Sequence, residues 1–477
     1  MDNRLNLIVC LCGVVICLVL MTWWSWRRET LTVGLPLCYL FSLATIHLVG
    51  AWVFTLPWNQ LPNGNAVAVG FQECSIGVTA FLCGVLVFDF VHKGKMHQAR
   101  FNAMRKSAVT TANEAVLRLP EMYVMLGVLF VAVLIPVLRR IPSIGAVANS
   151  GAYLIVGGCC LACRRHWQQK DYGRLFAWIA ATMIFPLFTM VTMGFLGYGV
   201  FAALIVFTFV MCFYRPRWQS LVALAVLFYF GLSVFVTYMR DRNDFRQVVW
   251  GGQSVNQNLS ARIHEVITMF SQFEWFDPHD DRQLEAIDGR LNQNSLVGAA
   301  VINLNNSAVS YANGRTIGNA ILALIPRIIW PGKPVRAGSP EIVSHYTGIE
   351  FAAGTSVGVG QVMEFYINFG RWGIILGFFC IGMIVRWLDW RAARCLQRDD
   401  WRGFMTSFLP GMAFLQTGGS LIEVMGTFAA STVLVLVVNQ FLWEYSIERK
   451  GRPPKHRGHP ANSGQVNARD SNTIEIK

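Results

Sequence analysis

Charged residues are scarce in this 477-residue chain. Asp, Glu, Lys and Arg make up only 14% of it, whereas soluble domains contain about 25%. This shortage, together with a mean hydropathy of +0.43, excludes the two or three soluble domains that the length alone would suggest. The hydrophobic content of 54% excludes a disordered chain, and the 12 cysteines are too sparse for a disulfide scaffold. The composition therefore predicts a polytopic membrane protein.

The sequence also lacks the common catalytic signatures. It contains no G-x-S-x-G, Walker A or H-E-x-x-H pattern. The Cys160-x-x-Cys163 pair has no βαβ context, so a redox role is disfavoured. The stretch Asp277-Pro-His279-Asp280-Asp281 offers possible metal ligands, but acidic segments that contain proline are usually solvated turns. We therefore predict no metal and no cofactor.

Long apolar runs are plentiful. A helix that crosses about 30 Å of hydrocarbon needs about 20 residues. The pattern predicts an all-α protein with about eleven transmembrane helices (ten to twelve). These lie near Leu5–Trp24, Leu31–Phe54, Ala66–Val91, Pro120–Leu138, Ile144–Cys163, Leu175–Thr192, Phe195–Phe213, Leu221–Met239, Trp372–Trp387, Phe404–Leu421 and Met425–Trp443.

The distribution of Lys and Arg predicts the orientation. Most of these residues lie in one alternate set of connections and in the C-terminal tail, and only Arg4, Arg139 and Arg140 lie on the other side outside the one long loop. The basic side is predicted to be cytoplasmic, with the N-terminus outside and the C-terminus inside. The same distribution accounts for the net charge of +13 without a nucleic-acid partner.

Four regions follow from this pattern. Residues 1–239 form transmembrane helices 1–8, and residues 240–371 form a large outward-facing loop that carries the candidate active site. Residues 372–443 form helices 9–11. Residues 444–477 are polar and rich in proline and glycine, which predicts a disordered cytoplasmic tail. Short apolar segments of the loop are typical of interfacial helices.

Basic residues of the loop are candidates for binding a phosphate. The planar guanidinium of Arg holds phosphate in two parallel hydrogen bonds, and prolines between these residues stiffen their backbone. Binding to ordinary anionic lipids, or pairing with loop acids, is the alternative. The candidates are Arg315, Arg327, Lys333 and Arg336, with Arg240 and Arg262 in addition.

Glu364 is the preferred candidate for a general base. It precedes the Trp372 span by about two helical turns, so its carboxylate is expected at the outer mouth of the membrane, where it can accept a proton from a sugar hydroxyl. Pairing with a neighbouring Arg is the alternative. His345 is the second candidate. Three aromatic residues suit either stacking on sugars or interfacial anchoring, namely Tyr311, Tyr366 and Trp330. His47, Glu73 and Asp89 lie in or beside spans and are functional candidates for that reason.

The loop resembles a known family. Ile325-Pro-Arg-Ile-Ile-Trp-Pro-Gly-Lys-Pro, then Thr355-Ser, then Glu364-Phe-Tyr-Ile-Asn-Phe-Gly before a span look like the Wzy-type polymerases of O-antigen or oligosaccharide repeat units. The resemblance covers about residues 240–382 and the many-span layout. It implies a GT-C-like membrane glycosyltransferase in the bacterial inner membrane, with the long loop periplasmic.

The resemblance also implies a reaction. Such enzymes transfer a growing glycan from undecaprenyl diphosphate to the non-reducing end of a new lipid-linked unit, without a nucleotide sugar or an obligatory metal. Loop arginines hold the diphosphate, and some members carry Arg, ten residues and Gly, a spacing that Arg327–Gly338 and Arg240–Gly251 share. The implied partners are the undecaprenyl-diphosphate-linked oligosaccharide, membrane lipids and a chain-length regulator protein.

Three alternatives stay open at this point. An O-antigen ligase or protein O-oligosaccharyltransferase uses the same donor with a different acceptor, and His345 is its candidate base. A flippase or exporter of lipid-linked oligosaccharides predicts charged residues along a central path, whereas here they crowd into one loop. A scaffold that binds anionic lipids is the third alternative.

Overall fold

The computed structural model describes most of the chain. The described residues are 3–27, 30–106, 119–134, 147, 150–214, 218–250, 259–325, 329–330, 332–333, 339–351, 355 and 357–451. Within these ranges the regular secondary structure is helical, which confirms an α-helical protein. The chain divides into two units, Met1–Val437 and Val438–Lys477, the second of which is described only as the end of the last helix.

The described ranges consist mainly of helices. In chain order they are α1 (Asn3–Trp26), α2 (Leu35–Val53), α3 (Gly64–Lys106), α4 (Leu119–Leu129, continued by a π-helical turn Phe130–Leu134), α5 (Gly151–Gln168), α6 (Tyr172–Thr182), α7 (Phe185–Met193), α8 (Gly197–Phe213), α9 (Trp218–Trp250), α10 (Leu259–Ser271), α11 (Asp281–Leu291), α12 (Asn294–Asn305), α13 (Arg315–Ala323), α14 (Ser339–Thr347), α15 (Gln361–Gln397), α16 (Trp401–Ala413) and α17 (Leu421–Gly451).

Six helical stretches of the described chain are long and apolar enough to cross a membrane. They are Arg4–Trp26, Leu35–Val53, Gly64–His92, Tyr172–Thr192, Gln361–Gln397 and Leu421–Leu442. Two shorter apolar helices cover Leu119–Val133 and Gly197–Phe213. The chain therefore has the helices of a membrane protein, while the number of eleven spans stays a prediction.

Helices α3 and α15 pack against each other through glycines. A Cβ on Gly84 would overlap the carbonyl oxygen of Phe379, and a Cβ on Gly382 would overlap that of Phe81. Small residues of this kind allow two membrane helices to bring their backbones together. Residue numbers rise together along the two helices, so α3 and α15 run parallel.

Ion pairs lie at both ends of this contact. Glu73 of α3 pairs with Arg371 of α15, and Asp89 pairs with Arg386, each at 2.6 Å. Arg386 is fully buried and also pairs with Asp389 at 2.6 Å. Removal of one partner of such a buried pair costs about 3–5 kcal/mol, because it leaves an uncompensated charge.

Helix α15 contains a sharp reversal. Phe369 (φ −141°, ψ 23°) and Gly370 (φ 59°, ψ −147°) are not helical, and a Cβ on Gly373 would overlap the carbonyl oxygen of Phe365. Eight residues of continuous helix would span about 12 Å, so residues 361–368 fold back on residues 371–397. We call these parts the fold-back segment and the long arm. The predicted span from Trp372 to Trp387 corresponds to the long arm.

The connection between α16 and α17 is also irregular. Helix α16 ends at Ala413 and residues 414–420 are not helical, whereas the sequence predicted one span over Phe404–Leu421. Other segments satisfy the open carbonyls: the Ser42 hydroxyl donates to Leu415 O (2.6 Å), and the Gln361 backbone N–H donates to Thr417 O (3.0 Å). Irregular backbone at membrane depth is tolerated where protein groups satisfy it in this way.

The α3–α15 contact generates a prediction. We expect Gly84→Ala to lower the melting temperature of the detergent-solubilised protein, because overpacking of a tight contact costs about 1–3 kcal/mol. Gly13→Ala in α1 is the control, since a Cβ there meets nothing within 4 Å. Equal melting temperatures of the two variants would contradict the close approach of the helices.

Candidate functional site

The carboxyl group of Glu364 lies at the start of α17. The side chain is fully buried, and its Oε2 accepts a hydrogen bond of 2.6 Å from the backbone N–H of Leu421. Its Oε1 is buried and has no hydrogen bond of normal length to the described residues, although the Thr316 hydroxyl lies close to the carboxyl group. A helix N-terminus favours a negative charge. The carboxyl group is thus fixed by one oxygen and leaves the other available.

The start of α17 carries a second carboxylate. Ser420 and Glu423 form a capping box, in which the Ser420 N–H donates to Glu423 Oε2 (3.1 Å) and the Glu423 N–H donates to Ser420 Oγ (3.3 Å). The box satisfies the N–H of Glu423 at the helix start, and Glu364 satisfies that of Leu421. Glu423 itself is exposed.

Helix α13 covers the fold-back segment. The Asn368 amide donates to Thr316 Oγ1 (2.6 Å) and to the carbonyl oxygen of Glu364 (2.7 Å), and the Ala312 N–H donates to Ile367 O (2.8 Å). Gly314 has φ 84°, and a Cβ there would lie 3.0 Å from the Phe369 ring. Glycine is therefore required at this close approach. The buried Oδ1 of Asn368 accepts no hydrogen bond from the described residues.

Polar side chains continue around the first turn of the fold-back segment. The Tyr39 hydroxyl donates to Gln361 Oε1 (2.5 Å), and the Gln361 amide donates to Gln416 O (3.3 Å). Gln293 Nε2 donates to Gly418 O (3.2 Å). Residues from α2, from the α11–α12 connection and from the irregular segment 414–420 therefore meet around Gln361.

A chain of hydrogen bonds links α2 to α11. His47 Nδ1 lies 2.7 Å from Asn294 Oδ1, and the Asn294 amide donates to Asn292 Oδ1 (2.7 Å). The Asn292 amide in turn donates to Asp288 Oδ1 (2.6 Å). Burial raises the pKa of Asp288 above its ordinary value, although this hydrogen bond acts in the opposite direction. The chain attaches the large loop to the helix bundle.

Arg371 and two tyrosines lie at the reversal of α15. Arg371 forms hydrogen bonds through Nε (3.1 Å) and Nη2 (2.6 Å) to Oε1 of Glu73. The Tyr366 hydroxyl donates to Asn305 Oδ1 (3.3 Å), and Tyr366 lies within electrostatic reach of Tyr311, Glu73 and Arg371. We call these four residues the mouth cluster: Glu73, Tyr311, Tyr366 and Arg371.

Several predicted site residues lie around this position. Glu364 and Tyr366 belong to the fold-back segment, and Tyr311 belongs to the segment just before α13. Arg315 is the first residue of α13 and has an exposed side chain. His345 is exposed on α14, and its ring meets Tyr346 edge-on at 4.8 Å. Burial raises the pKa of Tyr346, and the nearby charge of Arg315 lowers it, so α14 lies close to the start of α13. Glu364 was expected at the mouth but is fully buried, because α13 covers it.

Other predicted residues make contacts that stabilise the loop. Arg240 binds Asp241 (2.7 Å) and Glu274 (2.8 Å), which raise its pKa above the ordinary value. Lys333 Nζ donates to Ile325 O (2.8 Å) just after the end of α13, and Arg262 reaches Val191 O (3.5 Å). Their role in binding a diphosphate stays a prediction.

The remaining predicted residues contribute less. Trp330 is exposed. Arg327, Arg336 and Gly338 lie outside the described residues, as does Gly251. In the acidic stretch that offered metal ligands, Asp280 caps α11 by accepting from the N–H groups of Arg282 and Gln283.

Sequence reasoning missed four residues of the site, namely Thr316, Gln361, Asn368 and Arg371. Two of them lie inside or beside the quoted motif Glu364-Phe-Tyr-Ile-Asn-Phe-Gly, where Asn368 is one turn from Glu364 and Arg371 follows Gly370. Spacing by four residues predicts a shared helix face. That signal was available for Asn368, whereas no local pattern indicated the partner of Arg371, which lies 298 residues away in the chain.

One comparison decides the family. A family model matches residues 66–445, which include every element described above from α3 almost to the end of α17. The chain belongs to this family, which is described as a domain of unknown function, DUF8712. No curated protein and no solved structure matches the chain. The resemblance to polymerases therefore remains a prediction.

The raised pKa of Asp288 generates a prediction about pH. As the pH rises above about 4, the carboxyl group ionises first in the unfolded chain, so its contribution to folding stability falls until the pH exceeds the raised pKa of the folded form. Asp288→Asn retains an acceptor for Asn292 and does not ionise. We expect its melting temperature to exceed that of the wild type by an amount that grows between pH 4 and pH 7. A difference that does not change with pH would contradict this assignment.

Proposed function

We propose that the protein polymerises oligosaccharide repeat units carried on a polyprenyl diphosphate, at the outer face of the bacterial inner membrane. The observation that carries the proposal is the buried carboxyl group of Glu364, which has one oxygen fixed by the Leu421 N–H and the other without a hydrogen bond of normal length, with the Thr316 hydroxyl close to the carboxyl group. A fixed carboxylate with one available oxygen suits the removal of a proton from a bound hydroxyl group.

The reaction follows from this assignment. A hydroxyl oxygen at the non-reducing end of the acceptor attacks the anomeric carbon of the donor glycan and transfers its proton to Glu364. The bond from that carbon to the diphosphate oxygen breaks, and the polyprenyl diphosphate leaves with the electron pair. Arg315, exposed at the start of α13, stabilises the negative charge that develops on the leaving group. Attack from the opposite side inverts the anomeric centre.

The acceptor has to displace part of α13. The Thr316 hydroxyl and the Asn368 amide join α13 to the fold-back segment by a bond of 2.6 Å. Beside this contact lie two buried oxygens, Glu364 Oε1 and Asn368 Oδ1, which have no hydrogen bond of normal length to described residues, and the Thr316 hydroxyl lies close to the Glu364 carboxyl group. Sugar hydroxyls are donors that satisfy such oxygens. We propose that the acceptor sugar takes the place of the α13 contact.

The α3–α15 contact supports catalysis over transport. The charged groups of these two helices lie at the ends of the contact, where Glu73 meets Arg371 and Asp89 meets Arg386. Between them, backbones and aromatic rings pack against the glycines of both helices, which are Gly77, Gly84 and Gly382. A flippase requires a polar path through the bundle, whereas the part of this contact between the two ion pairs, residues 74–88 and 372–385, contains no charged residue.

Complementation of a deletion strain tests the base. We expect Glu364→Gln to abolish long glycan chains on a gel while single repeat units remain on the final acceptor, since loss of a general base reduces a rate by about 10²–10⁴-fold. The variant retains an oxygen for the Leu421 N–H, so protein levels should be normal. Glu285→Gln, on an exposed position of α11, is the matched control and should restore long chains.

Arg315→Ala should likewise shorten the chains, because the leaving diphosphate loses a positive charge. Arg282→Ala, which changes an exposed arginine of the same loop, should leave them long. The readout is the same glycan gel. Loss of single units from the acceptor in the deletion strain would identify a ligase instead. An unchanged glycan profile on deletion would refute both enzymes.

A further inference from the structure

One edge of the Arg371 side chain is occupied and the other is exposed. Its Nε and Nη2 atoms face Glu73, which is only 2% exposed, while the Arg371 side chain is 55% exposed. A guanidinium group carries five N–H donors in a rigid plane. The N–H groups of Nη1, and the second N–H of Nη2, therefore face away from Glu73, and no described residue accepts from Nη1.

Other paired arginines differ in this respect. Arg386 is fully buried and uses Nε for Asp89 and Nη1 for both Leu31 O and Asp389. Arg240 uses all three nitrogens for partners on its own loop. Arg282 is exposed, but its carboxylate partners are partly exposed too, as in ordinary surface pairs. Arg371 differs because its carboxylate partner, Glu73, is buried while its own guanidinium side chain is half exposed.

A hydroxyl group lies near this edge. Residues 311–315 pack on the reversal of α15, where Tyr311 Oη would lie 3.5 Å from a Cβ on Gly370. Arg315 ends this segment and forms no hydrogen bond or ion pair with described residues through its exposed side chain. The exposed edge of Arg371 is thus accompanied by the hydroxyl of Tyr311, which supplies a further donor, while Arg315 lies within electrostatic reach of Tyr346 on α14. This set of donors fits an anion with several oxygens, such as phosphate.

Exposed apolar side chains adjoin the same edge. Trp372 is 71% exposed and Leu376 is 62% exposed, and their spacing by four residues places them on one face of the long arm. Phe369, at the reversal, is also exposed. The long arm belongs to a stretch that is long and apolar enough to cross a membrane, so this exposed apolar face suits contact with hydrocarbon. A phosphate bound at Arg371 would therefore have an apolar path directly beside it.

We propose that Arg371, oriented by Glu73, binds the phosphate group of an amphiphile whose hydrocarbon tail lies along Phe369, Trp372 and Leu376. Arg371 touches the phosphate, and Glu73 acts as a positioning residue that holds the guanidinium plane. The identification of this amphiphile with the polyprenyl carrier rests on the proposed function. The binding of a phosphate amphiphile at this position does not.

Three probes separate the head group from the tail. Isothermal titration calorimetry of the purified full-length protein in detergent micelles should detect binding of geranylgeranyl diphosphate. Geranylgeraniol, which lacks the phosphates, and inorganic pyrophosphate, which lacks the tail, should each bind at least tenfold more weakly.

Variants assign the site to Arg371. We expect the double change Glu73→Gln with Arg371→Gln to weaken binding of geranylgeranyl diphosphate at least tenfold. The double variant is used because Arg371→Gln alone would leave a buried carboxylate without its partner. Glu73→Gln alone should weaken binding too, because the arginine loses its orientation, whereas Arg282→Gln should bind like the wild type. Melting temperatures verify that each variant is folded.

Specific results would overturn the proposal. Unchanged affinity in the folded double variant would exclude Arg371 as the phosphate ligand. Pyrophosphate that binds as tightly as geranylgeranyl diphosphate would exclude the tail site, and geranylgeraniol that binds as tightly would exclude the phosphate site. Binding as expected, together with an unchanged glycan profile of the deletion strain, would support this site while refuting the polymerase.

Discussion

The parallel contact between α3 and α15 organises the rest of the structure. Glycines let the two backbones approach within the membrane, and an ion pair closes the contact at each end. The residues at each ion pair also fix a neighbouring part of the chain. Asp389, next to Arg386, accepts the N–H groups of Val33 and Leu35 (3.0 and 3.1 Å) and so fixes the start of α2. At the other end, the bond between α3 and Arg371 fixes the reversal that carries the fold-back segment.

The fold-back segment brings distant parts of the chain together because it supplies polar groups where a spanning helix would supply apolar ones. Gln361 binds α2 and the segment after α16, Glu364 binds the start of α17, and Asn368 binds α13. All three residues lie on one short helical piece, so their mutual positions depend on it alone. Chemistry at Glu364 is therefore coupled to the packing of the loop that covers it.

The sequence predicts the six long apolar helices of the described chain because hydropathy depends on composition over about 20 residues. It predicts the two irregular segments poorly. The motif that begins at Glu364 resembles the approach to a span, yet the chain reverses at Gly370, and the run from Phe404 to Leu421 resembles one helix although it unwinds after Ala413. In both cases the polar partners that stabilise the break lie far away in sequence, on α2, α3 and the α11–α12 connection. The candidate site was predicted in part. Residue type and position in the loop predicted Glu364 and Arg315 as site residues, whereas the burial of Glu364 depends on the packing of α13 against the fold-back segment.

The interruption after α16 has a consequence for biosynthesis. Helix α16 has 13 residues and covers about 20 Å, too little to cross the hydrocarbon alone. The side chains and backbone groups that satisfy its open end belong to Ser42 and Gln361, both of which leave the ribosome earlier. The partners are thus already synthesised when α16 emerges, so that the open carbonyls after α16 can be satisfied as soon as the helix forms.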